Sequence, residues 1–202
     1  LMTSAIDLAT TNVYSISFWV KFNTAPSGVN KWFWSQGTGS TGLSLAFLYE
    51  QVSNCLRFSH YGFGNDIDSS GYNMTTTLGT QWNFIAVTYD ENNSRTGEIY
   101  LNGSKLTTNI SSMTNSFTGT GDFYISYSQN NGGTINGQMD DFRIYDRVLS
   151  AEEVEKLYYA QYIQTGSISN STDEYIAFKY NPDTAVSNQT EYTINFPQAT
   201  DC

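Results

Sequence analysis

Positive charge, histidine and cysteine are all scarce in this sequence. Its 202 residues include nine Lys and Arg, one His and two Cys, against 19 Asp and Glu. The formal net charge of −10 argues against a nucleic-acid partner, because phosphate recognition needs clustered Lys and Arg. It is equally unsuited to an anionic membrane surface. It does suit a divalent cation, although solubility alone also explains an excess of acidic residues.

Long apolar runs and targeting segments are also missing. No run approaches the roughly 20 apolar residues that span a bilayer, so membrane insertion is not expected. No signal peptide is visible, and the chain starts with Leu and stops just after an apparent strand. We therefore expect a piece of a larger protein, whose other domains are among its partners.

The two cysteines do not settle the redox compartment. Cys55 lies in a strand-like run, where a buried, inert thiol is expected, and Cys202 is the last residue. A disulfide between them stays open as an alternative.

What the sequence has in quantity is aromatic and small polar residues. Hydrophobic residues make up 39% and aromatic residues 15%, enough for one sizeable core, while charged residues are only 14%. Asn, Thr, Ser, Gly and Tyr take their place, as is common in externally displayed β proteins. Six N-glycosylation sequons are a mild further hint of an extracellular, cell-surface or virion-surface location: Asn73, Asn92, Asn102, Asn109, Asn170 and Asn188.

Strand patterns recur along the chain, separated by clusters of Gly, Asn, Ser and Thr. The predicted strands are 15–22, 31–35, 43–50, 56–61, 82–89, 98–101, 104–108, 122–127 and 139–145. The 82–89 strand is apolar on both faces, which predicts a central position. Asn102-Gly103 predicts a hairpin turn with positive φ angles. With no βαβ alternation, we predict an all-β fold, a two-sheet antiparallel jelly-roll sandwich.

One short helix is predicted at about 150–161. Ser150 and Glu153 form a capping box, and Leu149 and Val154 are spaced to form a hydrophobic staple. Leu157 and Tyr158 extend the apolar face of Val154 at helical spacing.

Four stretches together resemble a known family. They are Tyr14–Phe22, Trp82–Tyr89, Gly97–Ser104 and the strand and helix from Gly137 to Tyr158. In this order and spacing they resemble laminin-G-like domains of the concanavalin A-like superfamily, over roughly residues 1–160. The resemblance implies the jelly-roll fold and places Trp19 and Trp82 in the core. It is less specific about function, because this fold hosts lectins, adhesion modules, enzymes and spacers.

The residues after the helix depart from the family pattern. We assign 1–162 to the jelly roll and 163–172 to a linker. Two more strands are predicted at 174–180 and 191–196. The segment 173–202 either packs on the sandwich or starts a following domain.

Catalysis is not expected. The β-glucanases of this superfamily place their catalytic carboxylates as Glu-x-Asp-x-x-Glu on one strand, and no such array occurs here. A sialidase needs an arginine triad, whereas two of the four arginines, Arg143 and Arg147, are expected in salt bridges of the strand-to-helix motif. His60, the only histidine, lies in an aromatic run and is expected to be packed or at the surface.

Asp140 is the candidate metal ligand. Strict alternation places it on the face of Phe142 and Ile144, at the edge of the core, where a carboxylate must be paired, hydrogen-bonded or metal-bound. The resemblance to laminin-G-like modules and pentraxins implies a Ca²⁺ site that includes this aspartate, with Asp7 as a candidate second ligand. The alternative is that Asp140 caps backbone amides of a neighbouring loop.

The candidate ligand-binding residues lie in the first half of the chain. Sugars stack on Trp and Tyr rings while neighbouring amides bond their hydroxyls. The alternate oxygens of Asp66 and Asp68 resemble the start of a calcium loop. The candidates are Trp32, Trp34, Tyr61, Asn65, Asp66, Asp68 and Tyr72. Core packing is the alternative for the aromatic residues, and a solvated turn is the alternative for Asp66 and Asp68.

We therefore expect a non-catalytic, lectin-like module that binds a glycan or glycoprotein. The alternative is a structural or protein-interaction module, an adhesion or spacer unit without glycan binding.

Overall fold

The computed structural model describes residues 2–3, 7–37, 44–60, 66–117, 119, 121–127 and 133–164. The chain divides into two units, Leu1–Tyr159 and Ala160–Cys202. The strands predicted at 174–180 and 191–196 lie outside the described residues, as does Cys202.

The described residues include eleven strands and three helices. The strands are β1 (Met2–Thr3), β2 (Val13–Phe22), β3 (Lys31–Gly37), β4 (Ser44–Glu50), β5 (Cys55–His60), β6 (Ile67–Asp68), β7 (Trp82–Asp90), β8 (Thr96–Leu101), β9 (Ser104–Lys105), β10 (Phe123–Ile125) and β11 (Gly137–Tyr145). The helices are α1 (Leu8–Thr11), α2 (Met74–Leu78) and α3 (Ala151–Gln164). None of these helices has the length and apolarity that crossing a membrane requires.

The strands form two antiparallel sheets. One has the order β1-β10-β3-β4-β5-β6, and the other has the order β11-β2-β7-β8-β9. The predicted two-sheet jelly-roll sandwich is confirmed, and β7 lies at the centre of its sheet with both faces buried.

Alternation along β2 creates the two faces of the five-stranded sheet. Ile16, Phe18 and Val20 are fully buried in the core between the sheets. Ser15 and Ser17 point to the opposite face and are buried as well. This outer face must therefore be covered by another element.

Helix α3 provides that cover. Ser150 and Glu153 form the predicted capping box, with the Ser150 N–H donating to the Glu153 carboxylate at 2.8 Å and the Glu153 N–H donating to Ser150 Oγ at 3.3 Å. Leu149 and Val154 lie in one buried cluster with Phe84, Ala86 and Tyr100. The sequence prediction of a capped, stapled helix is confirmed.

Two sequence predictions about this sheet need correction. Trp82 was predicted to be core, but it begins β7 at the end of the sheet and is 38% exposed. Asp140 does not share a face with Phe142 and Ile144, because a β-bulge shifts the register of β11 between Asp140 and Arg143. Phe142 and Ile144 pack against the core while Asp140 is exposed. The strict alternation assumed from sequence ignores the extra residue that a bulge inserts.

The Asn102-Gly103 turn between β8 and β9 is as predicted. Both residues have positive φ angles, 50° and 81°. The Asn102 side chain accepts from the Phe84 N–H at 2.9 Å and donates to Asn83 Oδ1 at 3.1 Å. The turn is therefore held by β7 as well as by its own backbone.

Candidate functional site: a groove beside Trp32

A groove of about 490 Å³ opens at one end of the six-stranded sheet. Its described lining comes from the loop before β3, from β3 itself, from the β4–β5 turn and from one residue before β11. The lining residues are Gly28, Val29, Asn30, Trp32, Glu50, Gln51, Val52 and Gly133. We call this feature the Trp32 groove.

A bulge in β3 explains why Trp32 lies on the outer face of its sheet. The register between β3 and β4 shifts between Trp32 and Trp34. As a result Phe33 and Trp34 both enter the core between the sheets, while Trp32 packs with Ala46 and Leu48 in a separate cluster. Trp32 is only 6% exposed, and it forms part of the groove wall.

The indole N–H of Trp32 is buried and has no hydrogen-bond acceptor among the described residues. Buried donors in folded proteins are nearly always paired with protein, water or ligand. The indole N–H groups of Trp19 and Trp34 are likewise buried without an acceptor among the described residues. Of these three, only Trp32 lines the groove.

Two loops that line the groove are tied together. Asn30 Oδ1 accepts from the Gln51 N–H at 3.0 Å, which fixes the β4–β5 turn against the loop before β3. On the other side, the backbone N–H of Trp32 donates to the Gly133 carbonyl at 3.0 Å. A side chain at Gly133 would overlap the Asn30 carbonyl oxygen, so this wall requires glycine. The groove is therefore bounded by backbone held on both sides.

Glu50 places a carboxylate at the base of the β4–β5 turn. Its two oxygens accept from the backbone N–H groups of Val52, at 3.1 Å, and Ser53, at 2.6 Å. Burial alone would raise the pKa of Glu50, but these two N–H donors, together with the positive charge of Arg57, hold it below its ordinary value. Glu50 therefore carries its negative charge at neutral pH.

The turn beside the groove is also joined to α2. Asn54 accepts from the Thr75 N–H at 2.8 Å and donates to the Asn73 side chain at 2.9 Å. Asn73 is the N-cap of α2. Tyr72, one of the predicted ligand-binding residues, directly precedes this cap and is 39% exposed.

Trp34 was predicted as a ligand-facing candidate, and this was wrong. Its ring is fully buried and stacks with Phe47 and Phe123 at centroid distances of 6.2 and 5.9 Å. The bulge in β3 turns it into the core, as the packing alternative anticipated.

Asp66 and Asp68 are held by an arginine. Arg57 binds the two oxygens of Asp68 through Nε and a terminal nitrogen, both at 2.7 Å, and Asp66 lies 3.6 Å from Nε. Burial raises the pKa of Asp66. These acids are parts of an ion-pair network on the outer face rather than a solvated turn. Tyr61 and Asn65, the other candidates in this region, lie outside the described residues.

The metal candidates Asp140 and Asp7 each bind a nearby backbone N–H. Asp140 Oδ1 accepts from Asp141 at 2.8 Å, and Asp7 Oδ1 accepts from Ala9 at 3.1 Å as the N-cap of α1. Within the described ranges there is no group of three or more His, Cys, Asp or Glu that could hold a metal ion. Ca²⁺ takes six to eight oxygen ligands, so these two carboxylates do not by themselves make its site. The calcium hypothesis stays a prediction.

Two further groups considered from sequence are structural. His60 is 3% exposed and packs against Phe58, Tyr89 and Phe117, with Nδ1 2.9 Å from the Asn115 carbonyl. Cys55 is a buried free thiol, and burial raises its pKa to about 12. Of the two expectations for His60, packed or at the surface, the structure shows the packed one, and the expected burial of Cys55 is confirmed.

Sequence reasoning missed most of the groove. Glu50, Gln51, Gly133 and the exposed Val29 and Val52 were not candidates. The turn between two predicted strands was visible at 51–54, but its approach to Asn30 and Gly133 depends on strand pairing across long sequence separations.

Comparisons with known proteins give the same fold. At 20% identity and a TM-score of 0.55, the chain is similar to the binding domain of botulinum neurotoxin DC in complex with SialylT, over 75% of this chain and 36% of that one. It is also similar to the CBM40 of the Ruminococcus gnavus IT-sialidase, at 14% identity and a TM-score of 0.54, over 78% of this chain and 98% of that one. A third similar structure is a native heptameric SAP-like pentraxin from Limulus polyphemus, at 13% identity and a TM-score of 0.53, over 74% of this chain and 70% of that one.

A search of curated protein sequences finds no significant match. The chain spans 38% of the length of another similar structure, a receptor-binding domain. A laminin-G family model, described as the concanavalin A-like lectin/glucanases superfamily, matches residues 1–155. The chain therefore belongs to the laminin-G-like branch of the concanavalin A-like lectin/glucanase superfamily.

Proposed function

We propose that this protein is a non-catalytic glycan-binding module, and that the Trp32 groove is its binding site. The observation that carries the proposal is a groove of about 490 Å³ with a tryptophan in its wall and amide side chains at its rim. Ligand sites typically enclose about 300–1,000 Å³, so the groove has room for one or two sugar residues.

The chemistry of the lining supports a sugar ligand. Asn30 and Gln51 carry amides, and Gln51 is exposed. The indole N–H of Trp32 is a donor whose acceptor is not supplied by the described residues. Val29 and Val52 are exposed, at 53% and 81%, and give the apolar surface on which the C–H face of a pyranose packs.

The structural neighbours add support from the same architecture. They are a neurotoxin binding domain in complex with SialylT and the CBM40 of a sialidase. Both are similar to this chain at 20% identity or less, so they make glycan binding a reasonable proposal without locating the site.

The test is a broad glycan array with matched tryptophan variants. We expect the native domain to bind a subset of glycans and Trp32→Phe to bind them several-fold more weakly, because phenylalanine keeps much of the packing but lacks the N–H. Gln51→Ala removes an exposed amide and is expected to weaken binding without changing the melting temperature. Trp82→Ala is the control, since it removes an exposed tryptophan from the other sheet.

A silent array would contradict the proposal and favour the alternative, a structural or protein-interaction module. Binding that survives in Trp32→Phe and Gln51→Ala would keep the glycan function but move its site elsewhere. Repeating the array in EDTA tests calcium dependence, which remains a proposal. The extracellular, cell-surface or virion-surface location is likewise a proposal that fits a glycan partner.

A further inference from the structure

The charge of the Trp32 groove bears on which glycans it can accept. Glu50 is the only ionisable side chain among the described lining residues, and its two backbone N–H donors keep it ionised. The rest of the described lining is neutral: amides, an indole, valines and glycines. A carboxylated or sulfated sugar placed here would meet a negative charge with no opposing cation in the described wall.

Arginine is the residue that binds a sugar carboxylate best, through two parallel hydrogen bonds. The chain has four arginines, all in the described residues, and each is already engaged. Their partners are Asp68 for Arg57, Glu91 and the Met113 carbonyl for Arg95, Asp141 for Arg143, and Glu153 for Arg147.

Arg57 is the arginine whose position matters for the groove. The register of the six-stranded sheet places Trp32, Leu48, Arg57 and Asp68 in one row across four strands. At a strand spacing of about 4.8 Å, Arg57 lies roughly 10 Å from Trp32. Its guanidinium is bound by both oxygens of Asp68 at 2.7 Å and has Asp66 at 3.6 Å, so a ligand carboxylate would have to displace an acid already in place.

Within the described residues the lysines do not replace it, since Lys21 lies on β2 of the other sheet and Lys156 lies on α3. Lys31 directly precedes Trp32 on β3, but it pairs across the sheet with Tyr49, whose ring lies in the core. Its side chain therefore leaves the strand on the face opposite to Trp32. Lys105 is paired with Glu98 in the other sheet.

From this distribution of charge we infer that the ligand of the Trp32 groove is a neutral glycan, without sialic acid or other acidic groups. The inference rests on the proposed glycan binding and narrows its substrate class. It distinguishes this chain from similar structures such as the neurotoxin binding domain in complex with SialylT and the CBM40 of a sialidase.

The test uses pairs of glycans that differ only in a terminal sialic acid, printed together and probed at physiological ionic strength. We expect the desialylated member of each bound pair to be retained and the sialylated member to bind at least several-fold more weakly. Equal or stronger binding of the sialylated member would overturn the inference while leaving glycan binding intact. Silence toward both members of every pair would overturn the proposed function and this inference with it.

A charge variant tests whether Glu50 causes the preference for neutral glycans. Glu50→Gln removes the groove's negative charge, and we expect it to raise the ratio of sialylated to desialylated binding several-fold. Glu155→Gln is the matched control, because it makes the same change in net charge at an exposed position on α3. An identical ratio in the native protein and both variants would show that Glu50 does not set the selection, and would contradict the inference.

Discussion

A single buried hydroxyl bonds β2 to the segment between β11 and α3, and its removal tests the packing described above. Ser15 Oγ, on β2, donates to the Arg147 carbonyl at 2.8 Å and accepts from the Leu149 N–H at 2.9 Å. Ser15→Ala leaves both backbone groups without this partner. Ser15 is fully buried, so water cannot readily replace it.

The size of the effect follows from those two bonds. A buried polar group left unsatisfied costs about 1–3 kcal/mol, and the Arg147 carbonyl is only partly buried, so we expect a loss of about 2–4 kcal/mol in the free energy of unfolding. Ser17, two residues along the same face, is the matched control. Its hydroxyl is buried and has no hydrogen-bond partner among the described residues, so Ser17→Ala should change stability by less than about 1 kcal/mol.

Urea unfolding followed by tryptophan fluorescence measures both variants. With a slope of about 2 kcal/mol/M, Ser15→Ala should lower the midpoint by about 1–2 M, while Ser17→Ala should leave it nearly unchanged. The slope itself should be constant across the three proteins. Equal midpoint shifts for the two variants would refute the assignment of Ser15 as the link between β2 and the helix.

Three further predictions concern the core, the pH response and calcium. Trp34→Ala should lower the free energy of unfolding by about 3–5 kcal/mol, measured by the same urea titration, because the ring is fully buried; a loss below about 1 kcal/mol would contradict its core position. Burial lowers the pKa of His60 in the folded protein, so the folded state favours the neutral imidazole. The contribution of this neutral side chain to the free energy of unfolding is complete above about pH 6.5, the unfolded pKa, and is lost as the pH falls toward the lower pKa of the folded state. The melting temperature should therefore fall between about pH 7 and 5.5 in the native protein and less in His60→Gln; parallel curves would contradict this. The calcium hypothesis predicts that millimolar Ca²⁺ raises the melting temperature of the native protein but not that of Asp140→Asn. A native melting temperature that is the same in Ca²⁺ and in EDTA would contradict the hypothesis.

The sequence was informative where structure is decided by neighbouring residues. The strands follow from alternation, the start of α3 follows from Ser150 and Glu153, and the hairpin follows from Asn102-Gly103. Each of these signals acts within a few residues, so no knowledge of the fold was needed to read it.

The errors came from features that only packing between distant strands determines. The bulges at Trp32/Trp34 and Asp140/Arg143 change which side chains face the core, and no local residue pattern marks them. Short helices such as α1 and α2 are decided by caps from Asp7 and Asn73 rather than by apolar periodicity. The groove needs the pairing that brings residues 30, 51 and 133 together, so only Trp32 could be named in advance.

The indole resonance of Trp32 offers the most direct test of the central claim, that a neutral glycan binds in the Trp32 groove. It would be assigned by its loss in Trp32→Phe and followed by NMR while a neutral glycan identified on the array is titrated. The account predicts that the Trp32 indole signal shifts saturably, while the indole of the exposed Trp82 stays in place. A saturable shift at Trp82 with no change at Trp32, or no shift at either, would contradict it.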